Sequence, residues 1–218
     1  MILPALRLSL LVSLQATLLV ALAGTGAGWL LARRQFRGRE VLDALFNLPL
    51  VLPPTVTGYY LLLLIGRRGP IGGPLLRLTG LSLTFTLAAC VLAASVMAFP
   101  LMARSARVAF EELDRRHEIA AATLGHGPAS AFFRVAVPLA RRGLAAGVVL
   151  SFARALGEFG ATLMVAGNIP GRTQTLPLAV YEAVFSGQDA RAAVLALLLT
   201  AVSVAAMLAV GSLGRWKP

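Results

Sequence analysis

Residues 81–103 read LSLTFTLAACVLAASVMAFPLMA, a run of 23 residues without a charged side chain. A hydrocarbon core of about 30 Å takes roughly 20 helical residues to cross. Lipid offers no partner to backbone N–H and C=O groups, so such a run is expected to be a helix. Similarly apolar stretches cover residues 8–31, 42–65, 144–166 and 192–213. The sequence therefore predicts an all-α, polytopic membrane helix bundle of five transmembrane helices, with one transmembrane domain over residues 8–213.

The composition excludes several classes of protein. Of the 218 residues, 58% are apolar and 13% are charged. Soluble domains usually carry roughly 25% charged residues, so a soluble fold is excluded. Cys90 is the only cysteine, and a disulfide within the chain is therefore impossible. A signal peptide ending near Ala23 is an alternative for the first stretch, but the apolar run continues beyond the ~7–15 residues of a signal core.

The basic residues predict the orientation of the helices. The formal net charge is +11. Thirteen basic residues lie between the first two predicted spans, in the connection 104–143, and in the tail at Arg215 and Lys217, whereas the other connections and the N-terminal segment before the first span together hold six. Cytoplasmic connections carry an excess of Lys and Arg, so we expect an external N-terminus and a cytoplasmic C-terminus. The arginines are expected to set the topology rather than to bind nucleic acid.

The second predicted span contains helix breakers. Pro49, Pro53 and Pro54 each remove a backbone donor and disfavour helix at the preceding residue. A break at membrane depth is tolerated where it is buried in protein or lines a cavity. The sequence leaves two possibilities for Pro53, Pro54 and Thr55: a simple kink, or a break that lines a translocation path.

One charged pair lies inside a predicted span. Arg154 and Glu158 are four residues apart, so on a helix they share a face. Charges in lipid are costly, and both side chains are expected to face the interior of an assembly or a water-filled cavity. The pair is either a mutually neutralising contact that fixes helix packing, or part of a gate at which Arg154 transiently attracts an anion.

The residues that common enzyme sites need are missing. The only lysine is Lys217 and there is no GxxxxGK[ST] sequence, so the chain cannot hydrolyse ATP with a phosphate-binding loop. His117 and His126 have no cysteine near them, which disfavours a zinc site. We therefore expect a protein that is not an enzyme and holds no cofactor of its own.

The connection 104–143 carries the most specific motif. It contains EIAAATLG at residues 118–125, then nine residues, then VAVP at 135–138. This pattern resembles the EAA signature of the permeases of binding-protein-dependent ABC importers. Two departures from that signature are Ile119, which separates the glutamate from the alanines, and Val137, which replaces a leucine.

The resemblance implies a type I ABC importer permease with a cytoplasmic coupling loop over residues 104–143. In such proteins a helix of this loop docks onto a cytoplasmic ATPase. Gly125 is expected in a turn, and Pro128 at the start of a second short helix that ends at Pro138. The residues implied in coupling to the ATPase are Glu118, Ala120, Ala121, Ala122, Gly125 and Pro138.

Four further segments resemble the molybdate permeases in particular. They cover residues 47–59, 66–72, 151–162 and 167–177. The resemblance extends over about residues 8–212 and implies import of molybdate. Permeases for tungstate and sulfate share much of the pattern, so these oxyanions remain alternatives.

The resemblance also implies partners and a location. We expect a second copy of the chain, a cytoplasmic ABC ATPase dimer that holds ATP and Mg, a periplasmic or surface molybdate-binding protein, and membrane lipid. The location implied is the cytoplasmic (inner) membrane of a prokaryote. A secondary transporter driven by an ion gradient is an alternative, but Glu158 is the only acidic residue firmly inside a predicted span. A non-transporting assembly factor would have no use for the loop motif.

Two segments are expected on the external side, at residues 66–80 and 167–189. They are expected to face the binding protein or, alternatively, to be mere connectors. The apolar spacing after Leu176 predicts a short helix in the second segment. The candidate contact residues are Arg67, Arg68, Arg172 and Gln174.

Overall fold

The computed structural model describes residues 2–214, with side chains through Leu208, and every regular element in this range is a helix. Arg215 and Lys217, assigned above to the cytoplasmic side, lie outside the described residues. The predicted all-α membrane bundle is confirmed. The elements are α1 (Ile2–Arg33), α2 (Arg39–Val51), α3 (Pro54–Ile65), α4 (Gly72–Thr79), α5 (Leu87–Glu111), α6 (Arg116–Thr123), α7 (Pro128–Ala131), a π-helical turn (Phe132–Ala136), α8 (Val137–Leu156), α9 (Gly160–Ala166), α10 (Leu176–Phe185) and α11 (Asp189–Gly214).

Among the described residues, four helices are long and apolar enough to cross a membrane, judged by length and composition. They are α1, α5, the continuous helix Pro128–Leu156 and α11 over Asp189–Leu208. A fifth span is obtained if α2 and α3, which meet at a bend of 117°, are counted as one broken span.

Two predicted spans are displaced along the chain. The span predicted at 81–103 is a helix from Leu87 to Glu111, because the Thr86 hydroxyl accepts the Ala89 N–H and caps the helix there. The span predicted at 144–166 is two helices, since the long helix ends at Leu156 and α9 begins at Gly160. The segment between α5 and the helix that begins at Pro128 is residues 112–127, within the predicted coupling loop of residues 104–143.

The helix that begins at Pro128 does not end at Pro138, contrary to the prediction. Proline removes a backbone donor and its ring collides with the carbonyl four residues earlier in a regular α-helix. Here the turn before it is a π-helix, in which the Val137 N–H donates to the Phe132 oxygen. This wider turn accommodates Pro138, and the helix continues for 29 residues to Leu156.

The centre of the bundle is the contact between α1 and α5. The four-residue spacing of Gly24 and Gly28 predicts a close approach of another helix. A Cβ on Gly24 would lie 2.7 Å from Met102 Cγ, and one on Gly28 would lie 2.6 Å from Ala106 Cβ. Because both contacts advance by four residues, α1 and α5 run parallel, and the chain between them returns to its first side.

Substitution of Gly28 tests this contact. A Cβ there would also lie 2.7 Å from the Arg107 backbone nitrogen, which cannot move aside, whereas a Cβ on Gly26 of the same helix meets nothing within 4 Å. We expect Gly28→Leu to lower the stability of the detergent-solubilised protein by about 1–3 kcal/mol, the usual effect of overpacking. Gly26→Leu is the matched control, and equal thermal unfolding midpoints for the two variants would contradict the contact.

Candidate functional site

The two breaks in the chain lie against each other. One separates α2 from α3 at Leu52–Pro53, and the other separates α8 from α9 at residues 157–159. A Cβ on Gly160 would lie 3.0 Å from Pro54 Cβ and 3.3 Å from the Thr55 backbone nitrogen. The structure thus brings the predicted residues Pro54 and Thr55 beside the segment that follows Glu158.

The first break follows from its prolines. The Leu52 N–H still donates to the Leu48 oxygen at 3.0 Å, after which Leu52 and Pro53 are extended, with ψ of 142° and 138°. A residue before proline is pushed out of the helical region, and Pro54 then suits the first position of α3. The bend of 117° is too large for a simple kink of one helix.

Glu158 holds the second break together. Its Oε1 accepts the Ala161 N–H at 2.8 Å, and so satisfies a free donor at the start of α9. Its Oε2 lies 2.6 Å from Nη1 of Arg154, in the last turn of α8, though without hydrogen-bond geometry. The Glu158 side chain is 2% exposed and that of Arg154 is 25% exposed. The pair therefore ties α8 to α9, while a quarter of the Arg154 side chain is exposed.

Glu118 of the coupling loop is anchored to the end of α1. Arg33 Nε donates to Glu118 Oε1 at 2.8 Å, and Arg33 Nη2 donates to the Leu113 backbone oxygen at 3.2 Å. The Arg33 side chain is 7% exposed. Because the two residues are 85 positions apart, no local pattern links them, and Arg33 was counted above only as a topology residue.

Ala121 does not lie on an outer surface, contrary to the expectation that it contacts the ATPase. It is 5% exposed within this chain alone. Residues 118 and 121 share a helix face, and Glu118 turns that face toward α1. The exposed apolar side chains of the loop are Ile119, at 61%, and Leu124, at 80%; Ala120, Ala122 and Gly125 are also exposed.

Gly125 has a backbone conformation that other residues rarely adopt. Its φ is 84°, in the left-handed region, and it ends α6 at the turn before Pro128. The predicted turn is thus present. Pro138, the last residue of the motif, is exposed on the long helix and remote in sequence from the turn.

The residues assigned to the external loops divide into two groups. Arg67, Arg68 and Arg172 are exposed. Gln174 is 3% exposed, and its Nε2 donates to a carboxylate oxygen of Glu182. Gln174 is therefore a structural residue at the start of α10 rather than a contact residue. The short helix predicted after Leu176 is present as α10.

The comparisons with known proteins point in one direction. Residues 21–217 match the family of the binding-protein-dependent transport system inner membrane component. The chain is 45% identical over 205 residues to the molybdenum transport system permease protein ModB of Escherichia coli K12, covering 94% of this chain and 90% of the relative. It is 40% identical over 216 residues to the protein of that name from Azotobacter vinelandii, covering 99% and 95%.

A solved structure shares the fold. The chain matches the MetNI methionine ABC transporter in its inward-facing conformations with a TM-score of 0.76, over 98% of this chain and 94% of the other. The sequence identity is 17%, so this likeness concerns the fold alone.

Neutral variants of the charged pair separate its two possible roles. A charge swap is unsuitable because arginine at position 158 would lose the bond to the Ala161 N–H. The double variant Arg154→Gln with Glu158→Gln keeps an acceptor for this donor and removes both charges. A gate role predicts that the assembled complex loses anion uptake; a packing role predicts that uptake persists. Thermal unfolding and recovery of the complex verify that it still assembles.

The anchor of the coupling loop is testable by a double-mutant cycle. Arg33→Ala and Glu118→Ala should each loosen α6 by about 1.5–3 kcal/mol, the range for hydrogen bonds between charged groups. The double variant should be no worse than Arg33→Ala alone, because Arg33 makes both the bond to Glu118 and the bond to the Leu113 oxygen. Amide hydrogen exchange of residues 116–123 measures the effect, and Glu112→Ala, an exposed neighbour, is the control. Additive losses would contradict the pairing.

Proposed function

The chain belongs to the family of binding-protein-dependent transport system inner membrane components, and on that premise we propose that it is the permease subunit of an ATP-driven importer of molybdate. The observation that carries the choice of ion is the identity of 40–45%, over more than nine-tenths of the chain, to two relatives named as molybdenum transport permeases. Tungstate and sulfate are the competing substrates in the test below.

ATP hydrolysis belongs to a separate subunit in this proposal. Since the sequence has no phosphate-binding loop and one lysine, at Lys217, ATP and Mg are bound by the partner ATPase. The face of α6 that docks onto it is the exposed one. The exposed apolar side chains are Ile119 on α6 and Leu124 directly after it, whereas Ala121 packs inward and Glu118 binds Arg33.

The long helix after the coupling loop is the lever. It runs without interruption from Pro128, at the loop, to Leu156, beside the second break, a length of about 44 Å at 1.5 Å per residue. A displacement of the loop by the ATPase therefore reaches the segment where Glu158 holds α9. There the α2–α3 break lies in contact with it, so both breaks move together.

The translocation path lies between two copies of the chain at this depth. Arg154 offers a passing oxyanion a transient attraction, and Glu158 keeps the site from binding it tightly. A conduit has to release what it admits, so selectivity resides in the separate binding protein. Exposed Arg67, Arg68 and Arg172 are positioned to receive that protein.

The location proposed is the cytoplasmic membrane of a prokaryote, with the N-terminus outside and the C-terminus inside. The excess of basic residues in alternate connections supports this orientation. Because α1 and α5 run parallel, the chain has to cross back once between them. α2 and α3 together make this second crossing, which supports five crossings in total.

Uptake by the reconstituted importer tests the proposal. Liposomes that hold this chain with its ATPase and binding protein should accumulate labelled molybdate only with ATP, and sulfate should compete less than molybdate itself. Preferred uptake of tungstate or sulfate would reassign the ion. Uptake driven by an ion gradient without the ATPase would instead indicate a secondary transporter.

A single substitution directly after α6 tests the proposed docking surface. Leu124→Asp places a charge where an apolar side chain is 80% exposed, so folding should be unaffected while the ATPase no longer copurifies. Phe36→Asp is the matched control, because Phe36 is 39% exposed but lies in the connection before α2. Copurification of the ATPase with Leu124→Asp at the level of this control would contradict docking through α6.

A further inference from the structure

Three aromatic rings contact one another in series, and the first of them lies next to the charged pair. The ring of Phe159 lies 5.1 Å from that of Tyr181, which lies 4.4 Å from that of Phe185, measured between centroids. Tyr181 is 38% exposed and Phe185 is 75% exposed. These residues are called the aromatic ladder below. Phe159 follows Glu158 directly, so the ladder and the charged pair are continuous.

The ladder lies in the half of the bundle that is opposite the loop between α5 and the long helix. The Ser151 hydroxyl donates to the oxygen of Ala98, the twelfth of 25 residues in α5, so Arg154 lies one turn beyond the middle of that helix. α10 begins still further out, where the Leu176 N–H donates to the hydroxyl of Ser9, near the start of α1. α9, which follows Phe159, ends beside the start of α5, where the Phe85 N–H donates to the Val165 oxygen. Phe159 and the two rings next to it therefore lie in the half of the bundle beyond Arg154.

This face of the chain is unsuited to lipid. The Arg154 side chain is 25% exposed near mid-depth, and a charge in contact with hydrocarbon is costly. The exposed face of α1 differs, because its side chains at Leu14, Leu18 and Leu22 are 63%, 63% and 71% exposed and purely aliphatic. Lipid suits the α1 face, whereas the exposed part of Arg154 needs protein or water beside it, and the ladder begins at Phe159 next to this pair.

We infer that the aromatic ladder meets the same ladder of a second copy of this chain and closes the path above Arg154 and Glu158. In a contact with twofold symmetry the same patch serves on both copies, so Phe185 of each copy approaches the axis. Paired aromatic rings form a constriction that excludes water, as hydrophobic gates do. The inference rests on the proposed function and deepens it, because it assigns the external gate to three residues.

The gate opens by a movement of the same segment that the lever reaches. Phe159 lies between Glu158 and α9, within the break at the far end of the long helix. A shift of this break displaces Phe159 from Tyr181 and separates the two ladders. The ladder is therefore expected to be in contact in one nucleotide state of the ATPase and apart in the other.

Disulfide trapping tests the contact in the assembled transporter. The only native cysteine, Cys90, is fully buried and is replaced in a Cys90→Ala parent. Phe185→Cys is introduced there, with Tyr181→Cys as a second variant and Leu14→Cys, on the α1 face, as the control. Each complex is oxidised with copper phenanthroline, with and without a trapped ATP analogue, and analysed for crosslinked dimers and for molybdate uptake.

We expect Phe185→Cys to form a dimer of this chain in one nucleotide state, with loss of uptake that reduction restores, while Leu14→Cys forms none. Uptake without a crosslink from either ladder variant, or equal crosslinking from Leu14→Cys, would overturn the gate. If Phe185→Cys fails to assemble, Tyr181→Cys decides. A nucleotide-dependent crosslink in a complex that does not import molybdate even after reduction would refute the proposed substrate and leave the gate supported.

Discussion

The constraint on which the structure depends is that lipid satisfies no backbone hydrogen bond. A helix that breaks at membrane depth exposes N–H and C=O groups, which need partners within the protein. The Glu158 carboxylate supplies one to α9, and the first break lies against this segment at Pro54 and Thr55. Two interruptions that would each be unfavourable alone are thus placed side by side, on a face that also carries a partly exposed arginine.

Small residues allow the other helices to support this arrangement. Gly24 and Gly28 bring α1 against α5, and Gly143 and Gly147 bring the long helix against α5 as well. A rigid centre of three helices results. The coupling loop is joined to it at one end by the contact between Arg33 and Glu118, and at the other by the helix that starts at Pro128. Force on the loop has therefore a direct route to the breaks.

Much of this was predictable because it depends on local sequence. Long apolar runs indicate the helices, and the glycine at 125 indicates a left-handed turn. The prolines at 53 and 54 indicate the first break. The remainder depends on which residues meet in space: Arg33 and Glu118 are distant in sequence, and Ala121 and Gln174 are buried by neighbours that no pattern reveals. The helix end predicted at Pro138 was wrong because the π-helical turn before this proline accommodates its missing N–H donor.

In the proposed mechanism, the long helix transmits the movement of the coupling loop to the two breaks. Ala146→Pro would kink this helix at an exposed position midway along it without touching either end, and Ala146→Leu is its control. The decisive measurement is the amount of molybdate imported per ATP hydrolysed. We expect the proline variant to bind the ATPase and hydrolyse ATP but to import little molybdate. An unchanged ratio of molybdate imported to ATP hydrolysed would refute transmission through the long helix.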